Sequence, residues 1–315
     1  MSAAQPGPSS PPTPAPLDVR ATGLMLLLCV TWGFQQIFLK ITAPDITPLF
    51  QIALRSCLSA VLVWLVMRRQ GVRLAWNDGT VGAGVLVGTL FALEFLLIGE
   101  SLRYTSASHT VVFLYTAPIF VALGLHWKVP AERLNLIQWC GVLLAFAGIG
   151  ATFLGREGAN VTPANPNMLL GDALGVLAGL SWGATTVAVR LSPLARAPAT
   201  KTLFYQLVAG GILLTLAAAG LDQLHVRFTP LVITSLAFHT IVVTFASFLI
   251  WFWLLRHYLA ARLSVLSFLT PLCGVGFGVW LLDEPLDASF VIGGALVCAG
   301  IVLVSGKDWG RRRGA

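Results

Sequence analysis

The chain of 315 residues is 57% hydrophobic and only 10% charged, with a mean hydropathy of +0.83. Soluble domains carry about 25% charged residues, so this chain cannot coat a water-facing surface, and a bilayer is the expected solvent. That excludes a cytosolic enzyme, a secreted disulfide scaffold and a nucleic-acid-binding domain; the net charge of +7 matters through its placement, not its sum.

Residues 1–20 are rich in Pro, Ser and Ala without an apolar run, and read as a disordered tail. They lack the basic start and short apolar core of a signal peptide. Ten segments follow that meet the requirement of about 20 apolar residues at 1.5 Å rise each. They lie near 21–39, 48–67, 80–99, 106–126, 135–154, 172–190, 202–220, 231–255, 263–282 and 288–305. The expected architecture is an all-α integral membrane protein of ten transmembrane helices.

In the first span Trp32, Gln35 and Gln36 stand at i, i+3 and i+4 and share a helical face. Arg55 in the second span and Glu94 in the third are the two clear intramembrane charges, each costing about 2.5–3.5 kcal/mol at a span centre and so calling for a reason. Their depths from the same membrane face, roughly 14 and 10 Å at 1.5 Å per residue, let them meet across a helix pair. Glu94 is a candidate proton carrier or contact for a substrate amine; the bland alternative is a fixed salt bridge with Arg55. The fourth span carries Tyr115, Thr116 and a mid-helix Pro118, with His109 at its outer end and Trp127 at its inner end as an interface anchor. Gly141 and Gly148 in the fifth are seven apart and mark a packing face.

A stretch with Pro163 and Pro166 links the halves over 155–170. In the sixth span Trp182, Thr185 and Thr186 occupy the positions of Trp32, Gln35 and Gln36. Tyr205 and Gln206 open the seventh span, His239 lies in the eighth, and Trp251 and Trp253 near its end read as aromatic-belt residues. Pro271 interrupts the ninth, and Gly293 and Gly300 mark the tenth as a packing helix. The five cysteines all lie in apolar runs and read as small core residues, with no CxxC metal pattern. No cofactor is expected.

With the N-terminus in the cytoplasm, cytoplasmic loops and tails hold fifteen of the cations and the opposite side four, namely Lys40, Arg103, Arg156 and Arg227. Loop cations favour the cytoplasmic side, so both termini are expected there, in a bacterial-type inner membrane. A repeat is visible as well. Trp32, Gly33 and Lys40 recur as Trp182, Gly183 and Arg190; Tyr104 and Ala107 as Tyr258 and Ala261; Pro118 as Pro271; Glu132, Gly141 and Gly148 as Glu284, Gly293 and Gly300. Five spans per half is an odd number, so the halves enter the membrane from opposite faces as an inverted repeat.

The run Tyr104-Thr105-Ser106-Ala107, then Pro118, then Glu132 before a Gly-spaced helix resembles the EamA repeat of the drug/metabolite transporter superfamily, and Tyr258 to Ala261, Pro271 and Glu284 resemble a second copy. The resemblance implies a first repeat over 21–154, a second over 171–306 and a basic cytoplasmic tail over 307–315. It also implies export of a small metabolite. No Walker-type sequence is present, so an ion gradient or exchange must supply the drive. The expected function is a secondary transporter that moves an amino acid-like or related amphipathic compound by alternating access, exporting it with proton antiport. The expected pathway is Trp32, Gln35, Gln36, Tyr115, Trp182, Thr185, Thr186, Tyr205 and Gln206, with Glu94 and Arg55 for coupling or substrate charge and Pro118 and Pro271 as hinges. Partners are the lipid bilayer, a small-molecule substrate and protons, with no nucleic acid, and the chain is a monomer or a homodimer. A facilitative or uptake carrier is the alternative. A membrane-embedded enzyme ranks lower because the five histidines are scattered, and a channel lower because one such chain offers no ring of filter groups.

Overall fold

A computed structural model describes residues 15–75, 77–105, 107–154, 167–282 and 288–311. Glu284, most of the 155–170 linker, residues 1–14 and the end of the basic tail lie outside the described residues. Thirteen α-helices are described: α1 Val19–Thr42, α2 Pro48–Arg69, α3 Thr80–Tyr104, α4 Ala107–Leu114, α5 Ala117–Lys128, α6 Leu136–Leu154, α7 Met168–Leu191, α8 Ala199–Gly220, α9 Pro230–Phe238, α10 Phe248–His257, α11 Ala260–Leu266, α12 Leu269–Leu282 and α13 Ala288–Arg311. A π-helical segment, His239–Ser247, joins α9 to α10. Together they make ten crossings long and apolar enough for a bilayer, the eighth running Pro230–His257 and the ninth Ala260–Leu281. Face A is used below for the side where α1 begins and α10 ends, and face B for the other.

Helix ends follow local chemistry rather than the apolar run alone. Helix α1 starts at Val19 because the Asp18 carboxylate accepts the Ala21 amide at 2.7 Å as an N-cap. Helix α3 continues five residues past its last apolar stretch, where Arg103 pairs with Glu100 one turn back at 2.9 Å. The chain is already fixed before α1. Ala15 exchanges backbone hydrogen bonds with His257 and Leu259, at 2.8 and 3.1 Å, and Leu17 is fully buried, so the end of the proline-rich tail is tied to face A.

The two halves interlock as inverted repeats. Helix α6 packs along α13, α2 along α8, and α1 along α12, while α7, the counterpart of α1, packs on α4 and α5. The α6–α13 contact is backbone to backbone: a Cβ added to Gly141 would sit 2.7 Å from the Gly300 carbonyl, and one added to Gly148 would sit 2.6 Å from that of Gly293. Leu26, Leu27, Val85, Leu86, Leu143, Ile212, Ile233 and Val291 point outward, as a lipid-facing belt requires.

Two spans are broken rather than merely kinked at their prolines. The fourth breaks at Tyr115–Thr116 and the ninth at Ser267–Phe268, each just before the proline, which cannot donate to the carbonyl four residues back. Both breaks carry the same local bond, from a side-chain hydroxyl to the carbonyl three residues back. The Thr116 hydroxyl donates to the Phe113 carbonyl at 2.6 Å and the Ser267 hydroxyl to the Ser264 carbonyl at 2.6 Å. The first break lies against Gly179 of α7, where a Cβ would stand 2.5 Å from Thr116 Oγ1. The second lies against Cys29 of α1, whose thiol donates to the Leu266 carbonyl at 3.4 Å.

On face A the 70–79 loop is tied to the second half. The buried Lys201 ammonium donates to Asp78, and Asp78 also accepts the Thr80 hydroxyl and amide at 2.6 and 3.0 Å. Those bonds, the Lys201 one foremost, hold the Asp78 carboxyl down to about 2 from its usual 3.8.

Two outcomes are expected from this packing. Gly148→Leu should force α6 off α13, and overpacking costs about 1–3 kcal/mol, read as a lower thermal midpoint in detergent. Asp78 is depressed in the folded state, so its contribution is complete above 3.8 and is lost as pH falls through about 2. Thermal midpoints measured from neutral pH into that window should fall more steeply for the wild type than for Asp78→Asn.

Candidate functional site

The bundle encloses a central cavity of about 910 Å³ of unfilled space, its mouth included. Its lining includes Trp32, Gln35 and Gln36 from α1, Arg55 from α2, Glu94 from α3, Tyr115 at the first break, Trp182, Thr185 and Thr186 from α7, and Gln206 from α8. The inverted repeat explains why. Each half brings the Trp-bearing face of its first helix to the bundle axis, and the two faces meet there.

Arg55 is 1% exposed, and its Nη1 donates to Gln35 Oε1 at 2.8 Å. The ring of Phe95 lies 5.8 Å from its guanidinium carbon. Glu94 is half-buried and lines the same cavity, yet no hydrogen bond or ion pair within 4.0 Å joins it to Arg55 among the described residues. Arg55 Nε has no hydrogen-bond partner, and neither does Gln206 Oε1. The cavity therefore presents one guanidinium, one carboxylate and one amide oxygen with hydrogen-bonding capacity left over.

Aromatic rings enclose these groups. Tyr115 meets Trp182 edge to face at 5.4 Å, and Trp32 meets Trp251 at 5.8 Å and Phe248 at 6.3 Å. Trp32 is also anchored by its indole N–H, which donates to Ser247 Oγ at 2.8 Å, and the Ser247 hydroxyl in turn donates to the Val243 carbonyl in the π-helical segment. That segment contains the β-branched run Thr240 to Thr244, which crowds an α-helical turn, and Ser59 donates to the Thr240 carbonyl at 2.9 Å.

Some residues singled out from sequence stand elsewhere. Tyr205 does not join the cavity lining. Its ring packs against Gly84, and its hydroxyl lies 3.1 Å from Thr80 Oγ1 on the face A side. Pro118 and Pro271 sit beside the cavity, which reaches the breaks through Leu114, Tyr115 and Thr270. His239 is fully buried behind the cavity, with Nδ1 2.8 Å from the Ser235 carbonyl and 3.5 Å from Gln51 Nε2. His109 lies 2.8 Å from Asp172 toward face B. Trp253 stacks on His257, and the Arg20 guanidinium carbon lies 4.9 Å from its ring centre, as suits an interfacial residue. Trp251, read from sequence with it as an anchor, is 8% exposed and lines the cavity. The π-helical turn, which changes the register of the eighth span, leaves no mark in hydrophobic periodicity. Phe91, Phe95 and Phe248 were missed for a related reason: an apolar ring facing a cavity has the same sequence pattern as one facing a neighbour.

The fold is that of a helical membrane protein built from two inverted five-helix units around a central chamber. The EamA-like transporter family pattern matches residues 20–154 and 169–306, and the chain belongs to that family. It is therefore a transporter rather than an enzyme. It is 24% identical over 281 residues to the uncharacterized transporter YoaV of Bacillus subtilis strain 168, covering 89% of this chain and 94% of that protein. It is also 25% identical over 296 residues to a probable amino-acid metabolite efflux pump of Escherichia coli K12, covering 91% and 95%. A solved crystal structure superposes with a TM-score of 0.77 at 19% identity, over 90% of this chain and 98% of that one, which shows the shared fold.

The geometry separates Glu132 from Glu94. Glu132 accepts four hydrogen bonds from protein groups, whereas Glu94 holds none among the described residues. Removing one partner of a buried pair costs about 3–5 kcal/mol, so Glu132→Ala should lower the thermal midpoint sharply. Glu94→Gln should move it by far less in the same assay.

Proposed function

We propose that the protein is a secondary active carrier of the inner membrane, with both termini cytoplasmic, that exports an amino acid-like zwitterion by alternating access in exchange for protons. The observation that carries this reading is the pair of opposite charges in one aromatic-walled chamber, close enough to act together and not bonded to each other. An α-carboxylate suits the Arg55 guanidinium, whose planar donors match a carboxylate. An α-ammonium suits Glu94, and an apolar or aromatic side chain suits the rings of Trp32, Tyr115, Trp182 and Phe91. The name of the Escherichia coli relative points toward the same substrate class. The surplus of cations at face A supports its assignment to the cytoplasm.

Glu94 also has the chemistry to exchange its substrate ammonium for a proton, which would couple export to the proton gradient. In that cycle the broken fourth and ninth spans act as the bending elements, since matched interruptions at Pro118 and Pro271 leave short helices that tilt independently.

The test is transport in proteoliposomes loaded with a mixed amino-acid pool, read by mass spectrometry. The wild type should build an outward gradient of a restricted set of amino acids when a pH gradient is imposed. Glu94→Gln should abolish that accumulation, and Arg55→Met should raise the half-saturating substrate concentration about tenfold or more, the size of one lost charge-assisted contact. Accumulation by Glu94→Gln under the same pH gradient would end the proton-coupling reading and leave a facilitative exchanger.

A further inference from the structure

Glu132 and Arg190, matched in the repeat but absent from the cavity, form the most heavily bonded ion pair among the described residues. Glu132 follows α5 in a short turn, Pro130–Glu132, and is 2% exposed. Its Oε1 accepts Arg190 Nε at 3.0 Å and Nη2 at 2.7 Å. The same carboxylate accepts the Ala260 amide at 3.0 Å and the Ala261 amide at 3.1 Å, capping α11. Arg190 turns its remaining donors on the end of α10, with Nη1 to the Leu255 carbonyl at 2.8 Å and Nη2 to the Tyr258 carbonyl at 3.2 Å. One pair thus joins the first half to both sides of the turn between the eighth and ninth spans.

Two further cavities lie toward face A. The first, about 310 Å³ of unfilled space, shares Thr186, Phe252 and Leu255 with the central cavity, and its wall includes Arg190, Arg256 and Ala260. The next is an open groove of about 1100 Å³ that shares Arg190, Ala195 and Ala197 with the previous one and reaches Asp78, Arg196 and Lys201 at the loops. The three form a row from the chamber to face A. They are divided by a constriction whose residues are all buried, Thr186 at 2%, Leu255 at 4% and Phe252 at 5% exposure.

We propose that this row is the substrate route to face A, that Thr186, Phe252 and Leu255 form its barrier, and that Arg190 is the gatepost, held in the closed position by Glu132. The chemistry is direct. Arg190 holds the Leu255 carbonyl, so the end of α10 cannot swing away from α7 while Glu132 holds Arg190. Once Arg190 leaves Glu132, α10 and α11 are free to move apart from α5 and α7, and the cavities merge. The basic wall of the lower route, Arg190, Arg196, Arg256 and Lys201, favours passage of a substrate led by its carboxylate. The inference rests on the alternating-access reading, and it makes Glu132 and Arg190 positioning residues that do not touch substrate in the chamber.

The test uses the full chain in oriented membrane vesicles, with its five native cysteines replaced and Thr185→Cys as a reporter in the chamber. A membrane-impermeant maleimide is applied from face A or from face B. Glu132→Gln keeps an oxygen to cap α11 but removes the charge that holds Arg190. It should raise the face A labelling rate about tenfold and lower the face B rate, as a shift between two states requires. Arg190→Lys keeps the charge but cannot span both carbonyls, so it should shift labelling the same way, and it carries the test if the Gln variant is not inserted. Labelling unchanged from wild type, or faster from both faces alike, would overturn the proposal, since a merely structural staple loosens the bundle without direction. A wild-type reporter that labels from one face only, whatever substrate is added, would instead count against alternating access, while the variants would still report on the barrier.

Discussion

Inside hydrocarbon a backbone carbonyl or amide without a partner costs several kcal/mol, and among the described residues the helices are interrupted at four buried places. Every interruption is answered by a side chain. At the two proline breaks the Thr116 and Ser267 hydroxyls donate to the carbonyls three residues back, those of Phe113 and Ser264. Ser59 reaches the π-helical segment at Thr240, and Arg190 and Glu132 between them supply the carbonyls and amides around Tyr258. These repairs explain why so many buried Ser, Thr and charged residues occur in a chain of such high hydropathy. On the alternating-access reading they would also mark where the bundle rearranges, because a side-chain bond is replaced more readily than a run of helical ones.

The central chamber uses polarity in the opposite way. Arg55 is taken out of water at a cost only partly offset by its bond to Gln35, and Glu94 lines the same cavity without bonding to it. A direct salt bridge would have neutralised both groups and left a static joint. Held apart, they keep hydrogen-bonding capacity, which is what the zwitterion reading proposed above draws on. The aromatic walls lower the local dielectric and strengthen whatever pairing a ligand provides. The cost of this arrangement is borne by packing elsewhere, foremost that of α6 on α13, neither of which lines the chamber.

How far the sequence could be read follows from the same physics. Span length, the lopsided cations and the matched Trp-Gly and Gly-Gly spacings all act over many residues, so the ten crossings and the inverted duplication were legible. So was the shared face of Trp32, Gln35 and Gln36, because helical spacing alone sets it. The partner of Arg55 was not: whether its guanidinium meets Glu94 or Gln35 depends on a few tenths of a turn in α1 and α3. Trp251 was misread because an indole near a span end suits either an interface or a chamber, and the π-helical register decides which. Glu132 and Arg190 were visible only as repeat markers, since their bonds run to backbone groups of α10 and α11 that no side-chain pattern announces.

The two halves are alike in plan and unlike in chemistry, and the differences fall at these same points. Arg190 corresponds to Lys40, Gly179 to Cys29, and Thr185 and Thr186 to Gln35 and Gln36. Identical halves would make the two orientations of an inverted-repeat carrier equal in energy. An arginine fork that holds a carboxylate and two carbonyls is not reproduced by a lysine, whose ammonium is a point charge without planar geometry. Gly179 likewise lets a broken helix approach its backbone, where Cys29 keeps the matching break at thiol distance. On the alternating-access reading proposed above, divergence between the repeats at the Glu132–Arg190 pair and at the breaks would set the resting balance between the two orientations.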